Sequence, residues 1–182
     1  SNYELPHFLH LLHTHGVTVV ADVRSQPYSR FEQYRQENLQ AALRTAGEKY
    51  VFLGKELGAR REEPGCYVDG QVDFERAAQL PAFLEGIARV ERGADEHVIA
   101  LMCAESEPLD CHRTVLVARE LVDRGWEVQH FLMDASLEPH PRTERRMREL
   151  VGGDQLFDAQ LCEEELRQRT SAEYAKGVAY RR

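Results

Sequence analysis

A thiol, an imidazole, a guanidinium and a carboxylate fall close together in the stretch Cys103-Ala-Glu105-Ser-Glu-Pro108-Leu-Asp110-Cys111-His112-Arg113. The hydrophobic run from Val98 to Met102 before it reads as a buried strand, and Thr114 to Val122 after it reads as a helix. The reactive groups therefore belong at the carboxyl end of a strand and the first turn of a helix, where open α/β sheets place ligands. With Asp110 as N-cap, Cys111, His112 and Arg113 occupy that first turn, whose N–H groups and positive dipole end favour an anion. The anion is a thiolate, a phosphate or a substrate carboxylate, and Arg113 adds a forked donor suited to the last two. Each residue alone also has a plainer role. Cys111 is then a small buried hydrophobe, His112 a hydrogen-bonded linker and Arg113 an ion-pair partner of Glu105. Their concentration at one joint directs the reading to chemistry, with Glu105 as general base or nucleophile and Cys111 or His112 as nucleophile or acid. The same position makes Cys111 the expected more acidic thiol when compared with Cys162.

A second constellation, Asp22-Val-Arg24-Ser-Gln-Pro-Tyr28-Ser29-Arg30-Phe31, follows another hydrophobic run, Val17 to Val23. Asp22 and Arg24 lie two apart, so on a strand they point the same way and can pair with each other or with a ligand. Arg24, Ser29 and Arg30 offer anion donors, and Tyr28 and Phe31 offer stacking faces. The plainer alternative is that Asp22 and Arg24 brace a loop. If both constellations occupy carboxyl ends of strands in one parallel sheet, they share a rim, and Arg24, Arg30 and Arg113 converge on a polar pocket walled by Glu105.

The elements that must position these groups alternate along the chain. An apolar helical face, Leu5 to Leu12, ends at Gly16, and Val17 to Val23 is too continuously hydrophobic for a strand with a wet face. Asn38 can cap a helix running to Gly47, Tyr50 to Leu53 reads as a strand, and Gly54 to Gly70 as a long loop. Phe74 to Val90 reads as a helix or helix pair interrupted at Pro81, and Glu127 to Leu132 as a further strand. Strands joined through helices imply a parallel sheet with right-handed crossovers, hence a three-layer, Rossmann-like α/β domain over residues 1–150. No G-x-G-x-x-G fingerprint occurs, so nothing argues for a dinucleotide cofactor, and no cofactor is assigned. Arg142 to Leu150 reads as a solvated helix face with compensating glutamates rather than a nucleic-acid arm. Residues 151–182 form an extension in which Leu156 to Leu166 is an amphipathic helix and the tail after Thr170 is loose.

Composition sets the outer bounds. The 182 residues suffice for a core without staples, and 42% hydrophobic with 30% charged residues is ordinary for a globular protein. No stretch approaches a membrane span and no signal peptide is visible, so a cytoplasmic protein with no membrane partner is expected. The four cysteines lack a short-spaced pattern and read as free thiols, and adjacent Cys111 and His112 are not a usual zinc-ligand spacing, so no metal is assigned. A net charge of −8 disfavours broad nucleic-acid binding and leaves a small anionic or nucleotide-like ligand as the expected partner.

Asp22-Val-Arg24, Pro27-x-Ser29-Arg30, Tyr50 with Leu53-Gly54 and Leu57-Gly58, and above all Cys103-x-Glu105 with Pro108 and Cys111-His-Arg113 resemble the family called domain of unknown function 488. The resemblance runs from Ser1 to about Leu150. Members of that family usually open with a strand ending in Gly-His-Ser, whereas this sequence begins Ser1-Asn2, so the resemblance implies that the first strand and its histidine are missing from this chain. The family has no settled activity, and some relatives carry a DNA-repair label.

Three classes of function stay open. The leading one is an enzyme acting on a phosphorylated or nucleotide-like substrate. The second is a nonenzymatic module that binds a nucleotide or nucleic-acid end, with the DNA-repair association of the relatives. The third is a thiol-based redox sensor using Cys103 and Cys111.

Overall fold

The computed structural model describes residues 3–151 and 163–180. The chain divides into two compact units, Ser1–Ala59 with Leu80–Ser106 and Arg60–Gln79 with Glu107–Arg182. Among the described residues no helix is long and apolar enough to cross a membrane.

The first unit is a Rossmann-like α/β fold. Its central strand β1 (Val19–Asp22) is buried along its whole length because it is flanked on both sides. It pairs in parallel with β2 (Lys49–Phe52) and β5 (Ile99–Met102), in the order β2-β1-β5. Helix α1 (Leu5–Thr14) leads into β1 through Gly16 at φ +66, a left-handed turn that suits glycine. Helix α2 (Gln36–Ala46) joins β1 to β2. Arg35 is its cap residue, while Asn38 lies inside it and donates to the Glu32 carbonyl at 2.9 Å, so the expected Asn38 cap is replaced by a brace on the preceding turn. Phe8, Leu12, Val20, Tyr34, Leu39, Leu43 and Met102 pack one core between these helices and the sheet. The short helix α3 (Gly54–Leu57) follows β2 directly, inside the expected long loop. Helix α5 (Pro81–Ala94) begins at its proline, as the missing N–H dictates, and its Gly86 lets Leu57 of α3 approach the backbone.

In the second unit the rest of that expected loop is a hairpin, β3 (Tyr67–Val68) against β4 (Gln71–Val72). Its turn is Asp69-Gly70, at φ 50 and 76, a dipeptide that is itself a strong hairpin signal. Helix α4 (Phe74–Ala78) is capped by Asp73, which accepts from the Arg76 N–H. A π-helix (Arg113–Ala118) runs into α6 (Arg119–Asp123), and β6 (Gln129–Phe131) follows. The expectation that β6 joins the parallel sheet is not met. It pairs antiparallel with β7 (Leu137–Pro139), because Asp134 accepts from both the N–H and the hydroxyl of Ser136 and turns the chain back at once. Helix α7 (His140–Leu150) covers the basic stretch, and α8 (Glu163–Val178) ends the described chain. Leu156 to Cys162 lie outside the described residues. The tail after Thr170 is helical rather than loose: Thr170, Ser171 and Ala175 are buried, and the Tyr180 carbonyl accepts the Val72 N–H at 3.0 Å.

Candidate functional site

The register of the parallel sheet aligns Asp22 with Phe52 and Met102, so the carboxyl edge of the first unit carries Asp22, Arg24, Leu53 and Cys103. The ladder continues past the strands, with Leu53 N–H donating to the Asp22 carbonyl and Val23 N–H to the Met102 carbonyl, both at 2.9 Å. Asp22 is fully buried there. Arg24 grips it by a fork, Nε to Oδ1 at 2.8 Å and Nη2 to Oδ2 at 2.5 Å, while Nη1 donates to the Tyr34 carbonyl at 2.9 Å. Tyr50 donates its hydroxyl to Asp22 Oδ2 at 2.8 Å. Burial opposes the charge on Arg24, but its hydrogen bonds to Asp22 and the charge of that carboxylate outweigh the burial and leave Arg24 more basic than usual. Burial, then the Asp22 charge, push the Tyr50 phenol far above its ordinary range, so it remains a donor. The four groups are mutually satisfied, which is the geometry of a brace. Tyr50 is the member that the reading of this loop as anion donors left out, although it stood in the family pattern.

The rest of that loop is more open. Ser29 Oγ accepts the Phe31 N–H at 3.1 Å, a local turn, and Arg30 is exposed, with its guanidinium 4.8 Å from the centre of the Phe31 ring. Arg35 covers Tyr28 in the same way at 5.5 Å. Arg24 and Arg30 are thus divided between a buried brace and the surface. Cys103 is buried just beyond β5, and Glu105 is exposed.

The second unit holds Cys111, His112 and Arg113. Pro108–Asp110 forms a 3-10 turn capped by Glu107, whose Oε1 accepts the Leu109 N–H. Asp110 is therefore not the helix cap. Cys111 is extended, at φ −125 and ψ 134, and its carbonyl accepts the Thr114 N–H at 3.0 Å. It stands just before the helix rather than in its first turn, with Thr114 Oγ1 fastened to the Pro108 carbonyl. The helix opens as a π-helix, a widened turn that recurs at functional sites and leaves no mark in sequence periodicity. Cys111 is fully buried, and its sulfur accepts from Arg113 Nε at 3.1 Å, with His112 Nδ1 3.9 Å away. Cys162, the thiol against which its acidity was to be judged, lies outside the described residues. Cys66, in the same unit, is buried too, and burial pushes its thiol up.

The family described as Domain of unknown function DUF488 matches residues 4–129. The chain belongs to this family. No curated protein and no solved structure matches it. The DUF488 match takes in Asp22, Arg24, Tyr50, Cys103, Glu105 and Cys111 to Arg113, and it stops one position before His130.

His130 begins a polar chain that the reading of the DUF488 motifs left out. Its Nε2 is 2.9 Å from His140 Nδ1, and His140 Nε2 is 3.2 Å from Glu144 Oε1. Arg167 Nε holds Glu144 at 2.8 Å. Burial, then the nearby charge of His140 and of Arg113, push His130 down to about 3. Burial opposes the charge on Glu144, but His140 and Arg167 together hold it below the usual carboxylate range. Helix α7, which carries His140 and Glu144, is tied to the turn before Cys111 by Arg146, which donates to Glu107 and to the buried Glu138 at 2.8 Å each. At least one arginine of the basic stretch is therefore a structural tie.

These directions fix a pH dependence. An unfolded histidine takes up a proton near pH 6.5, whereas folded His130 resists until about 3, so protonation favours the unfolded state across that window. The stability that neutral His130 contributes is complete above about pH 6.5 and declines as the pH falls toward 3. Urea unfolding at neutral and at mildly acidic pH is expected to show a falling midpoint, and His130→Gln to flatten that fall. An equal slope in the folded variant would contradict the assignment.

Proposed function

We propose that the protein is an enzyme acting on a phosphorylated or nucleotide-like substrate. The observation that carries this reading is the 3.1 Å contact of Arg113 Nε with the Cys111 sulfur at the head of a helix. A plain core cysteine has no use for a guanidinium on its sulfur, whereas a nucleophilic thiolate does. The guanidinium fork also matches two oxygens of a phosphate, and the helix start adds the positive end of its dipole. In the proposed reaction the Cys111 sulfur supplies the attacking electron pair, and His112 supplies the proton taken by the departing oxygen. Arg113 holds the anion. In the first unit Asp22 and Arg24 brace the loop that presents Ser29 and Arg30, and the proposed role of Glu105 as a base is read separately from Glu105→Gln.

The test is a thermal-shift screen with inorganic phosphate, nucleoside phosphates and sugar phosphates, since a compound that binds the native state raises its stability. The best binder is then titrated against wild type and Arg113→Lys. Lysine keeps the charge but loses the fork, so the expected loss is about 1.5–3 kcal/mol, roughly ten- to a hundredfold in affinity. Unchanged affinity in a folded variant would remove Arg113 from the site. Binding without turnover in wild type would favour the nonenzymatic module.

A further inference from the structure

We propose that the loop from Pro27 to Arg35 in the first unit is a stacking platform for unpaired nucleobases, so that the ligand is a single-stranded nucleic acid. As the substrate of a reaction that strand rests on the nucleotide-like reading above, whereas as a bound partner it rests on the loop alone. The outer side of the loop carries two rings that the core does not use, Tyr28 at 70% and Phe31 at 37% exposure. One exposed ring is ordinary. These two belong to one short loop, and each has its own guanidinium, Arg30 at 4.8 Å from the centre of Phe31 and Arg35 at 5.5 Å from that of Tyr28. Each pair joins a π face to a positive charge, the two features that hold a base and its phosphate.

The inner side of the same loop is fixed. Arg24, held by Asp22, donates to the Tyr34 carbonyl at 2.9 Å, and Tyr34 is itself buried with its hydroxyl on the Tyr3 carbonyl at 3.0 Å. The Gln36 N–H closes onto the Pro27 carbonyl at 3.1 Å and the Tyr34 N–H onto that of Phe31 at 3.0 Å. A braced backbone leaves little chain freedom to be lost when a ligand orders the rings. The buried brace thus has a use at the surface. Between Pro27 and Arg35 two arginines stand against one acid, Glu32. Glu32 is 77% exposed and 3.8 Å from Arg35, a weak surface contact that a phosphate can replace. The loop is therefore locally positive on a chain of net charge −8, which repels an anionic polymer at large and admits it only at such a place. An acidic peptide would satisfy the arginines and leave the rings unused, and a duplex would keep its bases covered. An unpaired strand uses both.

The test is fluorescence anisotropy of a short labelled oligo-dT titrated with the full chain. Tyr28→Ala is expected to weaken binding by about five- to a hundredfold, the range for one base stacked on an aromatic ring. Tyr28→Phe keeps the ring and is expected to keep the affinity. Two phosphate contacts predict a slope of about −1.4 in log affinity against log salt, and Arg30→Gln is expected to bring it to about −0.7. Arg92→Gln removes an exposed arginine from α5, away from the loop, and is expected to leave the affinity as it is. All of these side chains are exposed, and circular dichroism verifies that each variant is folded. Four results would each overturn the platform: no binding by wild type, equal affinity in Tyr28→Ala, equal weakening by Arg92→Gln, or competition by duplex or polyglutamate as strong as by unlabelled oligo-dT. Failure here alongside a successful Arg113 titration removes only the platform. Strand binding that depends on Tyr28, alongside unchanged affinity in Arg113→Lys, removes only the phosphate site at Cys111.

Discussion

Asp22→Ala is expected to cost the protein about 3–5 kcal/mol, the penalty for breaking a buried ion pair from one side. The substitution strands Arg24 at 5% exposure with its fork empty, and it strips the Tyr50 hydroxyl of its acceptor as well. Most of the loss comes from the unpaired charge rather than from attraction forgone. Asp22→Ala with Arg24→Met should therefore recover a large part of it, because an apolar replacement of a buried pair is often close to neutral. The Tyr34 carbonyl loses its donor in the double variant, so recovery is expected to stop short of wild type. Urea unfolding of the two single variants and the double closes the cycle. Additive losses would show that the brace is not a unit.

Gly54→Ala is the second large loss, expected at about 3 kcal/mol, the upper end for overpacking. A Cβ at Gly54 would lie 2.0 Å from the Arg24 carbonyl and 2.6 Å from the Phe52 ring. The obstruction is backbone, which cannot swing aside as a flexible side chain can. Gly58 is as tight, with the Gly54 carbonyl at 2.3 Å and Ser25 Oγ at 2.4 Å. The two glycines of the Leu53-Gly54 and Leu57-Gly58 pattern let α3 lie directly on the loop that leaves β1. Gly65→Ala is the control, since a Cβ there meets nothing within 4 Å, and a change below about 0.5 kcal/mol is expected. A Gly54→Ala midpoint equal to that of the control would refute the close-approach argument.

The central strand was legible because its burial on two faces is written as an unbroken apolar run, and α5 because Pro81 has only one comfortable place in a helix. β6 was legible as a strand but not in its pairing. An apolar run does not name its neighbour, and the turn at Asp134 and Ser136 that decides the matter is a hydrogen-bond pattern rather than a periodicity. The hairpin at Asp69-Gly70 was readable in principle, but it was masked by the glycines and charges around it. At the site, the residue types were legible and their engagements were not. Nothing in Asp-x-Arg distinguishes a brace from a ligand donor until Tyr34 and Tyr50 arrive from elsewhere in the chain. His130 and His140 are ten residues apart on either side of a hairpin and meet only because β6 and β7 pair.

The β3–β4 hairpin has a consequence for the order in which the chain assembles. Its Gln71 donates to the Ala179 carbonyl across 108 positions of sequence, and the neighbouring Val72 is hydrogen-bonded to Tyr180. Closing so wide a loop costs conformational entropy that only late contacts repay. On a ribosome, α1 to β2 and α5 to β5 emerge with every strand of the parallel sheet already at hand, whereas the segment from Arg60 to Gln79 emerges more than a helix's length before the residues that complete it. The hairpin must therefore be carried as an unfinished excursion through the synthesis of everything after it, and the second unit closes only when the α8 segment is delivered.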